Sequence, residues 1–88
     1  MTTLPFEDHP PAGDRITAYD ERHFTTYLRL LDATNEAADW REVATILFGL
    51  DTAAEPDRAR LVYDSHLERA RWMTTQGYRH LLENSRER

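Results

Sequence analysis

The chain has 88 residues, a formal net charge of −5, no Cys, and eleven basic residues that are all Arg. A domain of this size buries only ~60–65% of the surface its unfolded chain exposes, which leaves little room for an enclosed substrate cavity and favours a binding module over an enzyme. Without Cys there are no disulfides, thiolate metal sites or Cys nucleophiles, and no stretch approaches the ~20 apolar residues of a membrane span or the pattern of a signal peptide, so a cytoplasmic protein is expected.

Residues 1–14, MTTLPFEDHPPAGD, hold three of the four prolines and little apolar bulk, and read as a disordered tail. A docked arm anchored by Leu4 and Phe6 is the alternative. The folded domain is expected over 15–83, with 84–88 frayed. Thr17 and Asp20 have the spacing of a capping box, so a first helix is predicted over 18–34, with Phe24, Tyr27, Leu28 and Leu31 at helical spacing, Leu30 widening that stripe and Asn35 as a stop. Asp39 with Glu42 marks the next start and Gly49 the left-handed stop, with Trp40, Val43, Ala44 and Leu47 on one face between them, giving a helix over 40–48. Pro56 suits the first turn of a long helix over 56–76. Its stripe of Ala59, Val62, Tyr63, His66, Leu67, Ala70 and Met73 faces a core. Gly77 ends it, and Tyr78, Leu81 and Leu82 predict a closing helix near 78–83. The fold class is therefore all-α, a small helical bundle. Its 40–48 and 56–76 pair is joined by seven residues where a common helix-turn-helix has three or four, so it is either an extended-turn variant or a plain helical hairpin.

Charge is unevenly placed: −2 over residues 1–15, −1 over 16–35, −4 over 36–55 and +2 over 56–88. The acidic surface comprises Glu36, Asp39, Glu42, Asp51 and Glu55. DNA binders gain much of their affinity by neutralising phosphates, so this balance argues that DNA is an unlikely ligand and that the partner is a protein with a basic surface.

The four histidines lack metal-ligand spacing; His66 belongs to a core, while His23 and His80 are expected to be partly exposed. The paired carboxylates Asp20–Glu21 and Asp39–Glu42 fit helix starts better than acid–base catalysis. Ser65 and His66 point about 100° apart on a helix and make no dyad. No catalytic, cofactor or metal site is expected. Trp40 reads as core, and Trp72 is balanced between core and interface. Arg58, Arg60, Arg69 and Arg71 suit phosphate contacts on a recognition helix, but Asp57, Asp64 and Glu68 lie among them at ion-pairing spacings.

The segments YDERHFTTYLRLLDA (19–33), DWREVATILFGLD (39–51), EPDRAR (55–60) and SHLERARWMTTQGYRHLL (65–82) resemble a proteobacterial family, long a domain of unknown function, named after the virulence regulator RovC. The resemblance implies an extended-turn helix-turn-helix variant carried on mobile elements and used to control conjugative transfer. Activators of the FseA type join the domain to a second, N-terminal one and bind DNA through a positive face. Stand-alone acidic members, the QseM-type antiactivators, bind the activator's N-terminal domain instead, and regulators of the quorum-sensing LuxR/TraR type are also bound by such proteins. The acidic front and single domain of this chain match the antiactivator, with Tyr27, Arg69, Trp72 and Tyr78 as its contact face and a monomer as its free form. The alternative is a DNA-binding regulator that uses Arg58 and Arg60 on the helix starting at Pro56.

Overall fold

The computed structural model describes residues 6–77. Four helices form, α1 (Ala18–Arg22), α2 (Phe24–Asn35), α3 (Trp40–Phe48) and α4 (Pro56–Trp72), and one turn of π-helix (Met73–Gly77) extends the last. No strand occurs among the described residues. The expected helix at 78–83, the frayed end at 84–88, Tyr78 and His80 lie outside them.

The start of α1 is the expected capping box: the Asp20 N–H donates to Thr17 Oγ1 at 3.3 Å and the Thr17 N–H to Asp20 Oδ2 at 2.9 Å. The single helix expected over 18–34 is broken at His23, whose φ of −102° and ψ of 14° close one helix and open the next. The break turns this ring inward: His23 stacks on Tyr19 at 4.2 Å and is only 2% exposed, not partly exposed as expected. It also sets the face of α2. Tyr27 and Leu30 fill the core, while Phe24 and Leu28 stay nearly half exposed, so the stripe read from sequence is displaced to one side.

α2 ends one residue beyond its expected limit. The Ala38 N–H donates to the Ala33 carbonyl and the Ala37 N–H to that of Thr34, a Schellman pattern with Ala37 at φ 55°. α3 starts on Asp39, whose carboxylate accepts the Arg41 N–H at 2.9 Å, and stops at Gly49 with φ 66°. Asp51 then organises the seven-residue connection by accepting the N–H groups of Ala53 and Ala54, each at 3.0 Å. Leu50, buried from that loop, pins it to the core. α4 opens on Pro56 as expected and lies between α2 and α3, supplying Ala59, Val62, Tyr63, Leu67 and Ala70 to the shared core.

Residues 6–14, which belong to the tail expected over 1–14, pack against the helices. Phe6 meets Phe48 edge-on at 5.1 Å, the Glu7 N–H donates to the Tyr19 hydroxyl, and Ser65 Oγ donates to the Asp8 carbonyl. The base of this arm is held by Arg69, whose Nη1 and Nη2 donate to the carbonyls of Gly13 and Arg15, each at 2.7 Å. Gly13 takes a φ of 138°, which side chains rarely adopt. Phe6 is one of the two anchors named for a docked arm, while the polar contacts from α4 have no signal in the composition of the segment.

Beneath the arm Arg69 makes its principal contact. Nε donates to Asp20 Oδ1 at 3.0 Å and Nη2 to Asp20 Oδ2 at 2.7 Å, and both side chains are buried. Tyr27 donates to Oδ1 at 2.9 Å, so every buried side-chain polar atom among the described residues has a partner.

Two outcomes follow for stability. Arg69→Met strands a buried carboxylate and is expected to lose about 3–5 kcal/mol, visible as a collapse of the thermal midpoint followed by circular dichroism; a loss below about 1 kcal/mol would contradict a buried, structural pair. Ala37→Gly removes a left-handed alanine and should raise stability by about 0.5–1 kcal/mol in urea titrations.

Candidate nucleic-acid interface

With 3.6 residues per turn, α4 presents three strips to the outside. Its outward centre carries Asp57, Leu61, Asp64 and Glu68, all exposed. Arg60 borders that line on the side of α3, and Arg58 with Ser65 borders it on the side of the arm.

On the α3 side, Trp40 packs against Tyr63 with ring centroids 6.1 Å apart and remains partly exposed. The guanidiniums of Arg41 and Arg60 lie over its indole at 5.0 and 4.9 Å, and Arg60 also lies 5.9 Å from the Tyr63 ring. Trp40 is therefore packed against the core, as expected, and is also a platform for two cations. Arg60 is bonded to Asp64 one turn along at 2.9 Å, and Arg41 lies 3.9 Å from Asp39. All four of these charged side chains are about half exposed or more, so the pairs are weak and readily exchanged for another anion.

On the arm side, Arg58 lies 5.9 Å from the Phe6 ring and places Nε and Nη2 each 3.0 Å from Asp8 Oδ1. Its Nη1 is 3.6 Å from Glu55. Of the carboxylates read at ion-pairing spacing, Asp64 pairs with Arg60; Glu55, read as acidic surface, and Asp8, from residues read as a tail, are the partners of Arg58.

The acidic residues divide by role. Asp39 and Asp51 satisfy backbone donors at the start of α3 and in the connection. Glu55 neutralises Arg58, and Glu36 and Glu42 stand exposed. Of the expected contact face, Tyr27 at 1% and Arg69 at 6% exposure are structural, because both are spent on Asp20. Trp72 is half-buried with the Arg69 guanidinium 3.9 Å from its ring.

Behind the interface, His66 is fully buried. Its Nδ1–H donates to the Val62 carbonyl at 2.8 Å, and its Nε2 accepts from the Tyr19 hydroxyl at 2.6 Å. Burial pushes this imidazole down to about 4, and neighbouring His23 adds to the cost of charging it. Burial also raises the Tyr19 and Tyr27 phenols. For Asp20, burial works upward, yet the bonds from Arg69, Thr17 and Tyr27 outweigh it and hold the carboxyl below its ordinary value. Arg69 is held charged by the same bond.

A long helix, preceded by a shorter one across a seven-residue connection and bordered at its start by guanidiniums on aromatic rings, makes this an all-α module, a small helical bundle. The comparison with known families agrees: the model described as "T6SS, Transcription factor, DNA binding domain", of the RovC type, matches residues 4–83. The chain belongs to this family. No curated protein matches it. No helix among the described residues is long and apolar enough to cross a membrane.

Family membership overturns the expectation that DNA is an unlikely ligand, since the family is a DNA-binding domain. The physical error lay in reading a regional charge sum as a contact surface. Two of the five carboxylates in that sum serve backbone donors and a third is paired, whereas Arg41, Arg58 and Arg60 border the outward face of α4.

The buried imidazole yields a pH prediction. The folded value lies below the ordinary 6.5, so between 6.5 and about 4 the unfolded chain binds the extra proton. His66's contribution is thus complete above about 6.5 and is lost as pH falls towards 4. Urea unfolding should show a loss of about 2 kcal/mol between pH ~7 and ~5, and His66→Gln should flatten that slope.

Proposed function

We propose that this chain controls transcription by contacting DNA through the outward side of α4, with Arg41, Arg58 and Arg60 as phosphate contacts and α4 from Pro56 onward as the element that approaches a groove. The observation that carries this is the placement of three half-exposed guanidiniums around the start of the helix pair in a chain of a DNA-binding family. Planar guanidiniums grip phosphate oxygens well and stack on rings without losing that capacity. The carboxylates along the centre line of α4 act against non-specific attraction, so affinity should be modest, strongly dependent on salt and confined to sites where base contacts compensate. Asp and Glu accept hydrogen bonds from cytosine N4 in the major groove, which gives Asp57 and Asp64 a role in choosing the site.

A second reading is favoured by the same acidic line: an antiactivator whose outward face of α4 meets a basic surface on a two-domain activator of the FseA type or on a LuxR/TraR-type regulator. Complementary charge of this kind speeds encounter and sets specificity.

Fluorescence anisotropy with the full chain separates the two. On the DNA reading, Arg41→Ala, Arg58→Ala and Arg60→Ala each weaken binding to a labelled duplex roughly three- to tenfold at low salt, and each lowers the salt slope by about one. Affinity that is unchanged in the triple variant would sink it. On the second reading, Asp64→Arg with Glu68→Arg abolishes co-purification with the activator's N-terminal domain, while the arginine substitutions leave that capture intact.

A further inference from the structure

The arm that packs on α4 places a carboxylate on one of the three guanidiniums assigned above to phosphate. Asp8 Oδ1 is 3.0 Å from both Nε and Nη2 of Arg58, the side-on geometry in which guanidinium meets a phosphate oxygen. Phe6 lies under the same guanidinium, and Ser65, two turns along the same edge of α4, donates to the Asp8 carbonyl. Residues 6–8 therefore cover the Arg58–Ser65 edge and bring Glu7 and Asp8 to it.

We propose that residues 6–13 are an acidic strap that occupies this edge of α4 in the free protein, with Asp8 standing where a DNA phosphate would sit, so that DNA must lift the strap to reach Arg58. The inference rests on the DNA reading and adds its regulation.

The strap is built to open from one end. Its base is fastened deeply, by the buried Arg69 on the carbonyls of Gly13 and Arg15. Its tip is held nearer the surface, by an ion pair whose two side chains are 42% and 45% exposed, by the ring of Phe6, and by two hydrogen bonds, from the Glu7 N–H to Tyr19 and from Ser65 to the Asp8 carbonyl. Exposed pairs of this kind contribute little and are screened by salt. Phosphates on a duplex are dense and release counterions when neutralised, so they outcompete a lone carboxylate. Pro10 and Pro11 stiffen the path between tip and base. Lifting the tip thus leaves the Asp20–Arg69 core untouched. A partner protein that takes up residues 6–8 would raise DNA affinity by the same route.

The test uses the full chain, wild type against Asp8→Asn, on a labelled duplex of about 30 base pairs near 50 mM salt. The expected result is a roughly three- to tenfold gain for Asp8→Asn, and no gain when the same change is made in an Arg58→Ala background. In the wild type, the Phe6 ring resonances should shift towards solvent-exposed values as duplex is added. Equal binding by wild type and Asp8→Asn, both weakened alike by Arg58→Ala, would overturn the strap while leaving the DNA reading intact. Binding by Asp8→Asn alone would support both, and binding by neither protein would overturn both.

Discussion

The ion pair between Asp20 and Arg69 is the constraint on which the rest of this small fold depends. A carboxylate and a guanidinium buried together give up their hydration, and the loss is repaid only if nearly every lone pair and N–H finds a partner. Here each does: Asp20 collects Thr17, Tyr27 and Arg69, and Arg69 collects Asp20, Gly13 and Arg15. One site therefore ties together α1, α2, α4 and the segment before α1. In a chain too short for a large apolar core, this cross-linking fixes the direction of the arm and, through α4, the positions of Arg58 and Ser65 on the surface it covers.

A second constraint lies beside it. His66 sits between Tyr19, His23, Phe6 and Phe48 and must remain neutral there. Its two ring nitrogens are committed, one to Val62 and one to Tyr19, and Tyr19 in turn accepts the Glu7 N–H. The relay joins the tip of the arm to the centre of α4 by hydrogen bonds alone. Displacing the tip costs one of these bonds, at a hydroxyl that water can then serve. That is why the arm combines a rigid root with a loose end.

What was legible in the sequence was what is local. Trp40 to Phe48 and the start at Pro56 came out where they were read, because Asp39, Gly49 and Pro56 act on backbone within a turn of themselves. The same holds for the Thr17–Asp20 cap, although Asp20 was read only as a helix-start residue. Its second role depends on Arg69, 49 residues away, and no periodicity announces such a pairing. His23 broke a helix that its stripe of apolar residues described as continuous, because stacking on Tyr19 rewards the inward ring. The candidate site was partly legible: Arg58 and Arg60 were named, and Asp64 stands at the spacing read for a partner of Arg60. Asp8 and the platform at Trp40 were not, since one comes from a proline-rich stretch and the other needs two helices to converge.

The choice of arginine throughout gives this surface its character. Arg41 and Arg60 rest on Trp40, Arg58 on Phe6 and Arg69 on Trp72. A guanidinium stacked on a ring keeps its N–H edges free in the plane, whereas an ammonium in the same place points its charge at the ring or leaves it. Stacking therefore fixes where the positive charge stands without spending the donors that would hold a phosphate. Arg41, Arg60 and Arg58 meanwhile each have a nearby carboxylate, Asp39, Asp64 and Asp8 in turn. A chain with net charge −5 can then present organised cation sites while attracting little nucleic acid in general, because the long-range field is that of the sum and the contact is made by the geometry. Acidity and the proposed DNA contact are compatible on these terms: the first would set how rarely the protein dwells on arbitrary sequence, and the second would act once a phosphate is near enough to replace a carboxylate.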